Sequence, residues 1–439
     1  MSVYAMNVLL IDIYSSFLDF AIKCQAHGHK VRWFCSKTDE GLPSKVGNGL
    51  VEKVYHWEPS MNWADIIILA DNTRYLPALE KYRREGYPIF GPNLNVAQWE
   101  LNRQSGQDIF KRHGIKIIDS HPFKTIRQVQ EFLASNPGRY VSKPNADDNK
   151  ALSYVSKSAK DLMFMLEYWQ KHSKIKGDFI FQEFAPGVEI AVGGWMGLNG
   201  FNSKFLENFE HKKLMNGDVG VNTGEVGTVL KYVEESELAE RLLKPLEPEL
   251  IRQGYTGYID VACIVTKSGD PMPLEFTSRP GWPLQQILQC LHKGDPVQWM
   301  VDALDGRDTM TVTDEIATGI VVTIPDFPYS KLTKKEVSGY PLYGWDKIPD
   351  RHFHPVEVQR GEVWNDDLKK EPGYVTAGDY VCVITGAGKT VCDSQSDAYK
   401  NLKQIELPNS PMWRTDIGDR CKTQVPELQK HGFCSEWRC

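Results

Sequence analysis

The sequence predicts a mixed architecture, α/β at the amino end and α+β beyond it, and two stretches carry that expectation. The opening run NVLLIDI, residues 7–13, is continuously apolar, as in a parallel strand covered on both faces. Tyr255 to Pro283 reads YTGYIDVACIVTKSGDPMPLEFTSRPGWP: an apolar β-branched run, a KSGD turn and a second extended run, which together make a β-hairpin. A chain of 439 residues has room for two to four domains with cores of their own.

Taken in order, the first strand is followed by a helix from about Phe17 to His27 and by strands at KVRWFCS, KVYHW and ADIIILA. Strands alternating with helical stretches imply a doubly wound unit, whose ligands bind beyond the carboxyl ends of the strands. Tyr14 to Ser16 and Asp71 to Arg74 are the candidate ligand loops, although Asp71 and Arg74 also fit a solvated loop pair. No GxGxxG follows the first strand, which argues against a dinucleotide-dependent oxidoreductase.

From Gly86 the chain reads as a strand, a GP turn and one helix ending near His113-Gly114. A smaller unit follows, with a helix from about Ile126 to Ala134 and two strands, RYVSKP and ALSYV, joined by the polar turn NADDNK. Lys143 sits inside a strand, where a cation needs an anion, and Lys150 ends the turn. The pair could hold nucleotide phosphates as point charges, while Lys150 alone reads equally as an exposed loop lysine. The extended segment Gln182, Glu183, Phe184 and Ala185 offers backbone groups that can read an adenine edge, and Glu189 can accept ribose hydroxyls.

Within the hairpin, Asp260 and Glu275 occupy positions where a buried sheet should be apolar, and a turn at Ser268 and Gly269 would set them close on adjacent strands. Two buried carboxylates repel unless something cationic lies between them. Mg²⁺ takes one or two carboxylates and completes its shell with phosphate oxygens and water, which points to an ATP site. The other reading makes Asp260 a strand-edge residue and pairs Glu275 with Arg279.

With 51 basic against 57 acidic residues, a net charge of -6 and a pI near 6.0, no bulk attraction to nucleic acid is expected. No apolar run is long enough for a membrane span and no basic region precedes the amino-terminal apolar run, so a cytoplasmic protein without membrane partners is expected. Nine scattered cysteines fit reduced thiols, Cys263 and Cys382 among them inside strands. A zinc site from Cys421, His431, Cys434 and Cys439 is conceivable, but the spacing matches no standard metal motif.

The segments IFGPNLNVAQWE, YVSKPN, FQEFAPGVE, EHKKLMNGDVGVNTGEVG, YTGYIDV and LEFTSRPG stand in the order, and at about the intervals, of ATP-grasp ligases. The chain most resembles the phosphoribosylamine-glycine ligases, or glycinamide ribonucleotide synthetases, over nearly its whole length, ending in DYVCVITGAGKTVCDSQSDAYKNL and RTDIGDR. That resemblance implies an amino-terminal α/β domain over 1–100, an ATP-grasp core over 101–121 and 192–311, and a small lid subdomain over 122–191. A carboxyl-terminal α+β capping domain over 312–418 and a Cys-containing tail over 419–439 would complete the chain.

It further implies ATP and Mg²⁺ (or Mn²⁺) as cofactors, with small-molecule carboxylic acid and amine substrates joined through an acyl phosphate by a monomer or small homo-oligomer. Arg103, where the family usually has lysine, would join Lys143 and Lys150 on the phosphates. Gln182 to Ala185 would be the adenine hinge, Glu189 the ribose ligand, and Glu275 a metal ligand beside Thr277, where asparagine is usual, with Asp260 sharing the ion. Arg279 would hold the acid or its acyl phosphate, and Asn222, Thr223 and Gly224 match a glycine-rich substrate loop in which Glu225 replaces a glycine. The glycine-rich phosphate loops of the amino-terminal domain are replaced by DIYSSFLDF and ADNTRYL, leaving Ser15, Ser16, Asp71 and Arg74 as the substrate-binding candidates. These departures suggest a changed amine or acid. A catalytically silent ATP-binding regulator is the alternative.

Overall fold

The computed structural model describes residues 5–35, 38–39, 42–72, 74–144, 154–172, 179–331 and 335–439. The first apolar run forms the strand Asn7–Asp12, buried from Val8 onward, at the centre of a five-stranded parallel sheet. Its order is Glu52–Val54, Lys30–Cys35, Asn7–Asp12, Ile66–Leu69, Ile89–Phe90. The order reverses between Asn7–Asp12 and Ile66–Leu69, so the loops after these two strands lie at the switch point where such sheets bind ligands. The helix expected at Phe17 to His27 is Leu18–Ala26.

The single helix expected before His113 is two, Leu94–Leu101 and Arg103–Arg112. Asn102 leaves helical geometry (φ −119°, ψ 99°), and its side chain accepts a hydrogen bond from the Ser105 N–H at 3.1 Å. Asparagine competes well for this capping role, so the helix restarts and puts Arg103 in its first turn.

A four-stranded antiparallel sheet follows in the order Tyr154–Val155, Tyr140–Pro144, Phe179–Glu183, Ser120–Phe123. Ile126, Val129 and Leu133 from one helix and Leu162, Leu166 and Trp169 from another form its core with Phe181. Thr125 and Gln128 close a capping box at the start of Ile126–Ser135, which is why that helix begins where the sequence places it.

The third body is an eight-stranded antiparallel sheet. Its order is Pro271–Thr277, Gly257–Thr266, Gly187–Gly197, Gly200–Glu210, Gly227–Val233, Ile316–Thr323, Tyr380–Gly388, Phe353–Pro355. Strands from beyond residue 312 therefore extend the sheet that carries the hairpin, and one hydrophobic cluster runs from Val8 to Trp437.

The tail packs against this sheet as the helix Cys421–Gln429 and a buried Trp437, whose ring meets Phe209 edge-on at 5.2 Å and whose Nε1 donates to Glu207 Oε2 at 2.7 Å. The zinc arrangement is not formed. Cys421 and Cys434 are buried thiols in this packing, Cys439 is exposed, and His431 lies against Gly269. Among the described residues no three His, Cys, Asp or Glu side chains gather to hold a metal ion. All nine cysteines are free, with Cys263 and Cys382 buried in strands as expected, and no described helix is long and apolar enough to cross a membrane. Trp437→Ala removes a filled core position and takes the Nε1 donor from Glu207 Oε2, leaving the Ser236 hydroxyl on Oε1, so chemical denaturation should show a loss of about 3–5 kcal/mol.

Candidate active site

Between the small and the large sheet, three cations from three elements converge on one carboxylate. Arg103 Nη1 donates to Glu275 Oε2 at 2.5 Å, Lys143 comes from Tyr140–Pro144, and Lys212 follows the strand Gly200–Glu210. Burial disfavours the charged form of Glu275, but Arg103, Lys143 and Lys212 outweigh it and hold the carboxyl down to about 2. Lys143 shows the opposite balance: burial, Arg103 and Lys212 lower its ammonium to about 8 despite the attraction of Glu275. Lys212 is matched by Glu189 at 2.8 Å and Glu210 at 3.0 Å. Arg103 and Lys143 thus share one carboxylate between two cations, an arrangement that further anionic oxygens would complete.

The hairpin forms as read, Gly257–Thr266 and Pro271–Thr277, turning through Gly269 at φ 83°. Its register, shifted by a bulge after Ala262, pairs Asp260 with Thr277 and Glu275 with Ala262, so the two acids are not opposite each other. Directly opposite residues share a face, so Asp260 and Glu275 are diagonal neighbours on one face of the hairpin. Asp260 is 2% exposed; burial and then Glu210 push its carboxyl well up, against the Thr277 hydroxyl and Arg279. The alternative ion pair is not formed, because Arg103 takes Glu275 while Arg279 Nη2 donates to Glu100 Oε1 at 3.1 Å. Glu275 is partly exposed and ionised, which fits a magnesium ion held by one carboxylate and by nucleotide phosphate oxygens. Thr277 spends its hydroxyl on Asp260.

The expected hinge runs from the buried Gln182 into the link between the two sheets. The Glu183 N–H is donated to Asp119 and the Phe184 N–H to Arg139, each at 3.0 Å, with the Arg139 guanidinium 3.6 Å above the Phe184 ring. An adenine edge would therefore be met by Ala185 and not by these two donors. Glu189 likewise gives an oxygen to Lys212. Lys150 lies outside the described residues.

On the other side of Arg279 the amino-terminal loops close the site. Ser15 is fully buried at φ 63° with its hydroxyl 3.0 Å from Cys35 Sγ, and Ser16 Oγ donates to Asp12 at 3.2 Å. Asp12 also accepts from the Phe17 N–H and Trp33 Nε1, at 2.8 and 3.1 Å. The two serines are thus turned toward protein partners and do not form a phosphate cradle. Asp71 accepts from the Ile13 N–H at 3.0 Å, and Arg74 is exposed over the Tyr75 ring. The second loop reaches the Arg279 segment through Asn72, which donates to Glu100 and to Ser278. In the loop matched to the family, Thr223 bonds twice to the Lys212 carbonyl, while Asn222 and Gly224 are exposed. Glu225 is buried.

Sequence reasoning missed Lys212, Glu210, Glu100 and Asp12, which organise these contacts. For Lys212 a signal existed, since EHKK is a charged cluster at the end of an apolar strand. The segment RTDIGDR acts as a clasp, in which Arg414 bonds Asp416 and Asp218 and so ties the hairpin of Lys213–Met215 and Val219–Asn222 to the tail.

Among solved structures, phosphoribosylamine-glycine ligase of Thermotoga maritima superposes with a TM-score of 0.71 at 18% identity, over 94% of this chain and 100% of that one. The biotin carboxylase domain of the Hydrogenobacter thermophilus 2-oxoglutarate carboxylase, in complex with MgADP, ADP and bicarbonate, gives 0.64 at 10% identity over 98% of each chain. The fold is that of the ATP-grasp ligases. Curated relatives agree: phosphoribosylamine-glycine ligase of Salmonella typhimurium is 26% identical over 361 residues, 78% of this chain and 80% of that enzyme. The Haemophilus influenzae enzyme is 24% identical over 367 residues, 80% and 81% of the two chains. No protein-family model matches the chain. In this ATP-grasp frame the Arg103, Lys143 and Glu275 cluster lies where the small sheet faces the large one, and Arg279 lies between that cluster and the amino-terminal switch point.

Proposed function

We propose that the chain is an ATP-dependent carboxylate-amine ligase: a carboxylic acid is phosphorylated by ATP, and an amine then displaces phosphate to leave an amide. The observation that carries this reading is the gathering of Arg103 and Lys143 around an ionised Glu275, with Arg279 beyond it. Phosphoryl transfer requires positioned positive charge, and acyl transfer requires a cation at the acid. In this reading Arg103 and Lys143 hold the phosphates, Ala185 meets the adenine, and Arg279 holds the acid and its acyl phosphate. A magnesium ion bound at Glu275 would supply further neutralisation of the nucleotide phosphates. Small-molecule acids and amines are the expected partners, and nine free thiols support a cytoplasmic setting.

The acceptor differs from phosphoribosylamine in this reading. The serine hydroxyls of the first loop are engaged by Cys35 and Asp12, and two acids, Asp12 and Asp71, in place of a glycine-rich nest, stand at the switch point. An ADP-release screen of amino acids crossed with amines tests the proposal, with glycine and phosphoribosylamine as one pair. Nucleotide binding without ADP release from any pair would favour the silent regulator. Turnover of glycine with phosphoribosylamine at roughly 1–1000 per second would overturn the changed acceptor.

Lys143→Ala should weaken ATP binding by about 1.5–3 kcal/mol, the scale of a hydrogen bond to a charged group. In the wild type, Lys143 is charged below about 8 and neutral above it when the site is empty. Binding above that pH must take up a proton, so ATP affinity should be flat below about 8 and fall as pH rises past it. Calorimetry in buffers of different ionisation enthalpy reads both the affinity and the proton uptake; a Lys143→Ala variant binding as tightly as wild type contradicts the assignment.

A further inference from the structure

Glu225 stands between the exposed Gly224 and the strand Gly227–Val233, and its side chain turns inward. It is 7% exposed, and its Oε1 has no hydrogen-bond partner among the described residues. Tyr380, from the strand Tyr380–Gly388, is equally buried, feels the charge of Glu225 and also has an unpartnered hydroxyl. The Trp282 ring stacks on Tyr380 at 3.9 Å, and its Nε1 is unpartnered too. Leaving such groups unsatisfied costs about 1–3 kcal/mol each. Their convergence from three separate segments is the mark of a polar ligand's place. Arg279, steadied by Glu100, borders the same space, as do Glu210, Lys212 and Asp260.

This inference rests on the ligase reading. An alkylamine reaches a protein as an ammonium ion, whose nitrogen has no electron pair to give. Something beside the acyl phosphate must take its proton before a bond can form. We propose that Glu225 is the general base of the acceptor site and that the acceptor is a primary alkylammonium compound, of the amino-acid or polyamine class. One ammonium proton passes to Glu225 Oε1, and the freed nitrogen pair attacks the acyl carbon. The C–N bond forms, the bond from that carbon to the phosphate oxygen breaks, and phosphate leaves with the electron pair and takes the second proton from the nitrogen, so that a neutral amide remains. Tyr380 is placed to accept a second ammonium N–H.

The charge balance around Glu225 agrees with that role. Burial first, then Glu210 and Asp260, push its carboxyl well above the usual range, while Lys212 and Arg279 pull the other way. A carboxyl raised in this way is a stronger base toward an ammonium than one in water. A glycine at 225 would supply none of this, which gives the departure from the family's loop a chemical meaning.

Hydroxylamine provides the test, because it is uncharged at neutral pH and attacks acyl phosphates without a base. The full chain is incubated with ATP, each of the twenty amino acids as donor, and either hydroxylamine or alkylamines such as methylamine and alanine. Glu225→Gln is expected to lower the alkylamine rate by ~100-fold or more relative to the hydroxylamine rate, and to move the residual alkylamine activity to higher pH. Hydroxamate formation by the variant itself reports a folded site. Should that variant not fold, Glu225→Asp, which keeps the carboxyl but withdraws it by one methylene, is expected to lower the alkylamine rate selectively. An unchanged ratio of the two rates overturns the base alone; absence of hydroxamate from every donor in the wild type overturns the ligase reading and the base with it.

Discussion

Glu275→Gln is expected to lower ADP release by ~10²–10³-fold while ATP still binds, the scale on which removal of one preorganised charge acts. Glutamine keeps the shape of the side chain but takes from Arg103 its ion-pair partner and from Lys143 and Lys212 a nearby negative charge. The phosphates of ATP then become the main anion for these cations, so nucleotide affinity is retained or raised even as catalysis falls. Stability should fall as well. The folded-state carboxyl is depressed to about 2, so its stabilising effect is fully present above the usual carboxylate range and is lost progressively as pH falls from that range through about 2. At neutral pH the substitution removes that effect, screened by the partial exposure of the side chain, and added ATP should restore the melting temperature. Paired measurements of ADP release and ATP affinity check this. Wild-type turnover in the variant would remove Glu275 from the site.

Much of the architecture was legible because the patterns behind it are local. The apolar run at Asn7–Asp12, the hairpin around Gly269 and the capping box at Thr125 each depend on residues a few positions apart. Where the reading failed, a distant partner decided the outcome. Asp260 and Glu275 lie on neighbouring strands as expected, but a bulge after Ala262 fixes their register, and no spacing in the sequence announces it. The ion-pair partner offered for Glu275 was Arg279, yet it meets Arg103, 172 positions away. Ser15 and Ser16 sit at a strand end, where phosphate-binding residues belong, but Cys35 and Asp12 claim their hydroxyls from other elements. Glu100 was passed over because its neighbours WEL read simply as helix. Three contacts across the fold, to Asn72, Ser278 and Arg279, make it a fixed anion in the site.

That anchoring sets up the second large effect. Arg279→Lys should lower ADP release by ~10²-fold or more and leave ATP affinity at the wild-type level, because Arg279 lies beyond the phosphate cluster and acts on the acid. One arm of the guanidinium is held by Glu100 at 3.1 Å, and among the described residues the Nη1 arm has only the Pro280 carbonyl at 3.5 Å, which leaves it directed by Glu100 but weakly used. A planar fork can keep the Glu100 contact and still offer donors to a carboxylate or an acyl phosphate, whereas an ammonium is a single point that must choose between them. Lysine is the better test than alanine. It preserves the positive charge that balances Glu100 and Asp260, so a folded variant is expected and the loss reads on geometry. The loss should appear with every donor acid and for hydroxylamine and alkylamines alike, which separates it from the Glu225 effect, confined to amines that must shed a proton. A rate within about tenfold of wild type, less than about 1.4 kcal/mol in the barrier, would show that the fork is not needed and that the acid is held elsewhere.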